Sequence, residues 1–170
     1  EASKEADLVL TSGGISVGEA DFIAEGIHKL GKIHFSKVAI KPGRPLTFAN
    51  LGDARFFGLP GNPVAVMITF LQFVRPAIQL MQGKQSRLTP TLKVKAGTAF
   101  RKLPGRTEFQ RGILELDEQG VLIVKTSGRQ GSGVLSSMSN GNCFILLPDE
   151  AEHVRLGDLV EVQPFDLLRH

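Results

Sequence analysis

An apolar run from Leu8 to Leu10 passes straight into Thr11-Ser12-Gly13-Gly14 and then into helical spacing, an order that few folds accept. A short continuous apolar run followed by glycines is the pattern of a buried parallel strand that delivers its carboxyl end to a loop. Open α/β sheets bind ligands at such strand ends. From Asp21 onward Phe22, Ile23, Ile27 and Leu30 recur at helical spacing, and Gly31 stands where a C-cap glycine belongs. The same strand, turn and helix order returns at Gly58-Leu59-Pro60-Gly61-Asn62-Pro63, where Asn62 supplies a side-chain acceptor and Pro63 occupies the first helical position.

Between these two motifs, Ile33 to Ile40 reads as a second strand, with Lys37 and Lys41 on one side and Ser36, Val38 and Ile40 on the other. Leu46 to Phe57 reads as a hairpin turning at Asn50-Leu51-Gly52-Asp53. After Pro63 the residues Val64, Met67, Ile68, Leu71, Val74 and Ile78 supply an apolar helix face, which Pro76 is expected to kink or break near Phe73-Val74. Gly83 and the polar run through Arg87 mark a boundary. Beyond Thr89 short strands alternate with turn signals at Pro104-Gly105, Glu118-Gln119-Gly120 and Gly157-Asp158. The expected organisation is an α/β domain over residues 1–86 and a small all-β, barrel-like domain over residues 87–170.

Composition narrows the partner. Hydrophobic residues make up 42% and charged residues 22%, without low-complexity tracts, so a soluble globular protein is expected. Apolar stretches are interrupted before the ~20 residues of a membrane span, so no transmembrane segment is expected. The chain opens at Glu1 without Met or a signal-like segment and is expected to be a fragment. Its single cysteine, Cys143, sits in an apolar run, which suits core packing in a reducing cytoplasm. A net charge of +3 favours an anionic partner. Trp and Tyr are absent and the basic residues are dispersed, so a small anionic ligand fits better than nucleic acid.

Three constellations would receive such a ligand. In the first, Gly13, Gly14, Ser16 and Gly18 allow successive backbone N–H groups to converge on phosphate oxygens, with Glu19 and Asp21 following. The spacing is neither a dinucleotide fingerprint nor a P-loop. Asp21 either caps its helix or holds Mg²⁺, which is commonly bound by one or two carboxylates together with substrate phosphates. The second is Lys37-Val38-Ala39-Ile40-Lys41-Pro42-Gly43-Arg44. Lysines four apart on a strand lie roughly 13 Å from each other at ~3.3 Å per residue, so Pro42 and Gly43 must turn the chain to gather Lys37, Lys41 and Arg44. A solvated edge strand is the alternative. The third is Gly58-Leu59-Pro60-Gly61-Asn62-Pro63, either a rigid connector or a helix entry that presents N–H groups to an anion.

In combination and order, these segments resemble the molybdopterin molybdenumtransferase family, whose animal member is the E domain of gephyrin. The likeness continues through Arg101-Lys102, Gly105-Arg106, Glu108-Phe109, Arg111-Gly112, Gln130-Gly131-Ser132 and Val160 to Phe165. It implies part of a three-layer α/β/α molybdopterin-binding domain followed by a small β-barrel domain. It also implies cleavage of adenylated molybdopterin with Mg²⁺, release of AMP and transfer of molybdenum from molybdate to the dithiolene. By that resemblance Asp21 is the essential loop aspartate and metal ligand, Lys37 and Lys41 bind oxyanions, Pro60 and Pro63 line the pocket, and Ser132 joins from the second domain. A cytoplasmic homodimer, working with the adenylyltransferase of the same pathway, is implied for the full-length enzyme. Family members are longer on the amino-terminal side, so this chain alone is expected to be inactive. Two alternatives stand: a molybdopterin adenylyltransferase, which typically lacks the terminal β-domain, and a non-catalytic scaffold or receptor-binding module.

Overall fold

The computed structural model describes residues 1–13, 20–85, 89–128, 130 and 136–168, with backbone alone for 20–24, 136–137 and 167–168. Two units emerge. The first comprises Glu1–Val38 and Gly43–Gly83, and the second comprises Ala39–Pro42 and Lys84–His170.

In the first unit a short helix α1 (Ala2–Glu5) precedes strand β1 (Leu8–Ser12), helix α2 (Ala20–Leu30) and strand β2 (Lys32–Phe35). The hairpin β4 (Thr47–Leu51) and β5 (Ala54–Leu59) completes a sheet of order β1-β5-β4-β2. The strands β1 and β5 are parallel, whereas β4 runs antiparallel to both β5 and β2, so the sheet is mixed. Strand alternation divides its side chains between two faces. Ile27 of α2 packs with Val9, Ile33, Ala49, Leu51 and Phe56 on one. On the other, Leu8, Phe48, Phe57 and Leu59 meet Val66, Phe70, Val74 and Ile78 of the helix that follows β5. The result is a helix, sheet and helix layering. Ile33 and Phe35 share parity yet face opposite layers, because the β2–β4 register shifts between them. A one-residue irregularity flips every later side chain to the other face.

Three expectations change here. The hairpin turns on Gly52-Asp53 alone, with Gly52 at φ +63°, since Leu51 already pairs with Ala54. Pro76 does not break its helix. Instead α3 (Pro63–Thr69) passes through a π-helical turn (Phe70–Val74) into α4 (Arg75–Met81), and Arg75 N–H reaches Phe70 C=O. A π turn absorbs the hydrogen bond that proline cannot donate and shifts the helix face by a residue. That shift buries Val74 with Phe70 and Phe73 beside it, while Met67, expected in the core, is exposed. Lastly, the 19-residue stretch Pro63–Met81 is long and apolar enough to cross a bilayer by length and composition, which the count of interruptions had excluded. Within this unit Val64, Ile68 and Val74 of that stretch are buried, Val74 among the sheet-facing residues.

The second unit is a closed five-stranded barrel. Its strands are β6 (Leu92–Ala96), β8 (Thr107–Leu116), β9 (Leu122–Thr126), β10 (Cys143–Leu147) and β12 (Leu159–Pro164), and pairing of β10 with β8 closes the order β10-β12-β6-β9-β8. The two-residue β3 (Ile40–Lys41) adds to β8 in parallel, and β7 (Phe100–Arg101) pairs with β11 (His153–Val154). A helix α5 (Ser136–Asn140) and a 3₁₀ turn (Phe165–Leu168) complete the unit. Val94, Ala96, Val124, Cys143, Ile145, Leu147, Val160 and Val162 fill the interior. Gly112 lies opposite Cys143, and a Cβ there would come within 2.8 Å of Ile145 and 2.9 Å of Val124. Where β8 lacks a strand partner, amide side chains substitute. Gln130 Oε1 accepts from Arg111 N–H at 2.8 Å while its Nε2 donates to Arg111 C=O at 3.0 Å, and Asn142 brackets Leu114 at 2.7 and 2.9 Å.

Candidate anion-binding site

Parallel neighbours that end at the same level place their following loops side by side. Ser12, the last residue of β1, pairs with Leu59, the last of β5, so Gly13 and Pro60-Gly61 start from one sheet edge. Gly13 has φ +81°, a conformation that glycine adopts without the Cβ clash of other residues, and its N–H donates to Leu59 C=O at 3.2 Å. A Cβ built on Gly61 would lie 3.5 Å from Gly13 Cα, so the two backbones run in van der Waals contact. The buried Thr11 Oγ1, just upstream, has no hydrogen-bond partner among the described residues. Gly13 of the first constellation and Pro60-Gly61 of the third therefore meet at one strand end.

The helix entry behaves differently from its sequence-based reading. Asn62 Oδ1 accepts from Val64 N–H at 3.0 Å and Ala65 N–H at 3.2 Å, and Asn62 C=O accepts from Val66 N–H at 2.9 Å. Pro63 has no N–H. The first-turn amides of α3 are thus occupied by their own cap, and what the helix end offers an anion is its dipole rather than bare donors. Pro60 is buried, whereas Gly61 and Pro63 are exposed at the mouth of the turn.

The basic constellation divides between the units. The chain from Ile33 to Ile40 is not one strand, because β2 stops at Phe35 and Ile40–Lys41 joins the barrel as β3. Lys37 and Arg44 are exposed positions of the first unit, and Gly43, at φ +115°, reopens it. Val38 N–H donates to Arg44 C=O at 3.0 Å and closes that excursion. In the second unit Lys41 Nζ bonds Glu108 Oε2 at 3.3 Å. That partner was missed by sequence reasoning, although Glu108 had been noted within the resemblance. Another cation noted there, Lys102, is buried and donates to Leu103, Asp149 and Ala151 carbonyls at 3.3, 2.9 and 3.0 Å, so it ties a loop.

Gly14, Ser16, Gly18, Glu19 and Ser132 lie outside the described residues, and Asp21 is described only as backbone within α2. At this strand end Gly13 N–H and the first-turn amides of α3 are already bonded, so what suits anionic oxygen there is the α3 dipole together with Thr11 Oγ1, which lacks a partner among the described residues. Among the described residues no group of three or more His, Cys, Asp or Glu side chains comes together.

Known proteins match this chain over both of its units. Residues 1–80 match a family described as a probable molybdopterin binding domain, and residues 93–165 match the MoeA C-terminal region, domain IV. The molybdopterin molybdenumtransferase of Haemophilus influenzae is 46% identical over 168 residues, aligning 98% of this chain with 42% of that protein. Gephyrin from Dictyostelium discoideum is 31% identical over 185 residues, covering 95% of this chain and 26% of its own length. Among solved structures, a molybdopterin biosynthesis MoeA protein from Pyrococcus horikosii superimposes with a TM-score of 0.74 at 26% identity, over 96% of this chain and 38% of that one. The chain thus spans less than half the length of the relatives it matches. It carries, in order, a region matching the probable molybdopterin binding domain and a region matching MoeA domain IV, and it is similar to molybdopterin molybdenumtransferases along nearly all of its residues.

Proposed function

We propose that the full-length protein to which this chain contributes inserts molybdenum from molybdate into adenylated molybdopterin, with hydrolysis of the phosphoanhydride and release of AMP. The observation that carries this is the backbone contact of Gly13 and Gly61 at the shared end of the parallel strands β1 and β5. A crevice at a strand carboxyl edge, beside a helix N-terminus, suits a phosphate-bearing ligand. In this proposal Gly13, Gly14, Ser16 and Gly18 bind phosphate oxygens, Pro60, Gly61, Asn62 and Pro63 shape the opposite wall, and Lys37, Lys41, Gly43, Arg44 and Ser132 serve the oxyanion. Lysine ammonium groups are compact point charges suited to molybdate oxygens. Asp21, with Glu19 nearby in sequence, is the residue assigned to Mg²⁺, which would offset phosphate charge when bound. The chain's own part is to bind and orient the pyrophosphate.

The proposal extends to a homodimeric, cytoplasmic enzyme acting after an adenylyltransferase. The match of residues 93–165 to the terminal MoeA region favours metal insertion over adenylyl transfer as the reaction. A direct test mixes the full-length protein with adenylated molybdopterin and Mg²⁺ and follows AMP with and without molybdate. AMP release that requires molybdate and accompanies bound molybdenum is expected. Release that ignores molybdate, or no release at all, would remove the proposal and leave a scaffold.

A further inference from the structure

Glu108 occupies an unusual position for a carboxylate. It lies on β8 in register with Lys41 of β3 and with Leu147 of β10, so its side chain shares a barrel face with apolar residues. The Glu108 side chain is 7% exposed and that of Lys41 47%. Both carboxylate oxygens are engaged. Oε2 accepts from Lys41 Nζ at 3.3 Å, and Oε1 accepts from Gln110 Nε2 at 3.1 Å. Gln110 Nε2 also donates to Arg101 C=O at 3.1 Å, so the acceptor of Lys41 is itself held by the barrel. Thr107 N–H bonds Ala39 C=O at 3.0 Å, which anchors β3 through its backbone before any side chain acts.

We propose that Glu108 is a positioning residue for Lys41, fixing the ammonium by one N–H and leaving its other donors turned to solvent for an oxyanion. This rests on the assignment of Lys41 to the oxyanion under the proposed function. A lysine ammonium carries three donors, and Glu108 takes one. The buried carboxylate, which also lies in the field of the Arg111 guanidinium, loses its hydrogen-bonded cation if Lys41 swings away, so the pair restrains a side chain that is otherwise flexible. Backbone pairing already secures β3, so the ion pair is free to set where the charge points.

The test uses the full-length protein and reads molybdate KM and kcat from AMP release for Glu108→Gln, Lys41→Ala and the double variant. Charge alone predicts that removing a carboxylate beside an anion site tightens molybdate binding. Positioning predicts the opposite: Glu108→Gln raises the molybdate KM about tenfold with a smaller change in kcat, the scale of one charge-assisted hydrogen bond. It also predicts no further rise in the Lys41→Ala background. If Glu108→Gln does not fold, Gln110→Met releases Oε1 and is expected to raise KM in the same direction, again only when Lys41 is present. An unchanged or lowered KM, or additive effects in the double variant, overturns the inference. An enzyme that needs molybdate but ignores Lys41→Ala overturns it as well. If the wild type shows no molybdate-dependent AMP release, the proposed function has failed, and calorimetric titration of molybdate into the same variants decides the Glu108 question by the same coupling criterion.

Discussion

Asn62 shows how one residue can serve stability while standing beside the proposed ligand site. Its side-chain oxygen accepts from two first-turn amides, so Asn62→Ala should lower stability by about 1 kcal/mol, read as a shift in the urea midpoint. Asn62→Asp keeps the acceptor but adds negative charge next to Gly61. It should retain stability and weaken binding of adenylated molybdopterin, which calorimetry would show. Cys143 is the complementary case, with a role confined to the core. Burial pushes its thiol from 9.0 to about 12, so it should resist alkylation until the chain unfolds. The pH dependence follows from its sign. The folded state keeps the proton where the unfolded chain loses it, so this residue lowers stability progressively as pH rises from about 9 to about 12 and has no such effect below that window. The urea-midpoint gap between the wild type and Cys143→Ala, set at pH 7.5 by the cavity the smaller side chain leaves, should therefore shift in favour of the variant at pH 10.5. For chemistry, Asp21→Asn in the full-length protein should reduce molybdate-dependent AMP release at least about 100-fold.

At the scale of elements, the legible parts are those whose cause is local. The apolar run of β1, the amphipathic spacing of α2, the Asn62-Pro63 start of α3 and the Leu46–Phe57 hairpin all carry their signals within a few residues. The parts that misread depend on a distant neighbour. Ile33 to Ile40 looks continuous, yet a register shift in β2 and the pairing of Ile40–Lys41 with Thr107-Glu108 divide it between two sheets. Gly31 follows α2 as a C-cap glycine would, with its N–H on Ile27 C=O at 2.8 Å, but its need for glycine comes from elsewhere. A Cβ there would fall 1.8 Å from Asn50 C=O on the adjacent strand. Gly31→Ala should accordingly destabilise the protein by about 3 kcal/mol through forced backbone displacement, measurable by denaturant unfolding. Pro76 carried a correct warning, since the α-helical pattern is interrupted near Phe73-Val74, by a π turn rather than by a break.

For the whole molecule, the chain order of the two units is simple except for Ala39–Pro42, which leaves the first unit to add a strand to the second. Sequence periodicity registered the change from strand-helix alternation to short strands, but two residues of β3 are too few to carry any periodic signal. The candidate site was legible to the same degree. The meeting of Gly13 with Gly61 follows from two strand-to-glycine motifs, whereas the Glu108 partner of Lys41 lies 67 positions away and has no local signature. The claim on which the functional proposal depends is that both glycine turns face one anionic ligand. Backbone amide chemical shifts of Gly13 and Gly61 in the full-length protein, followed by NMR during titration with adenylated molybdopterin, address it directly. Both resonances should move together and saturate at one stoichiometry. Shifts confined to other surfaces, with Gly13 and Gly61 unmoved, would contradict it.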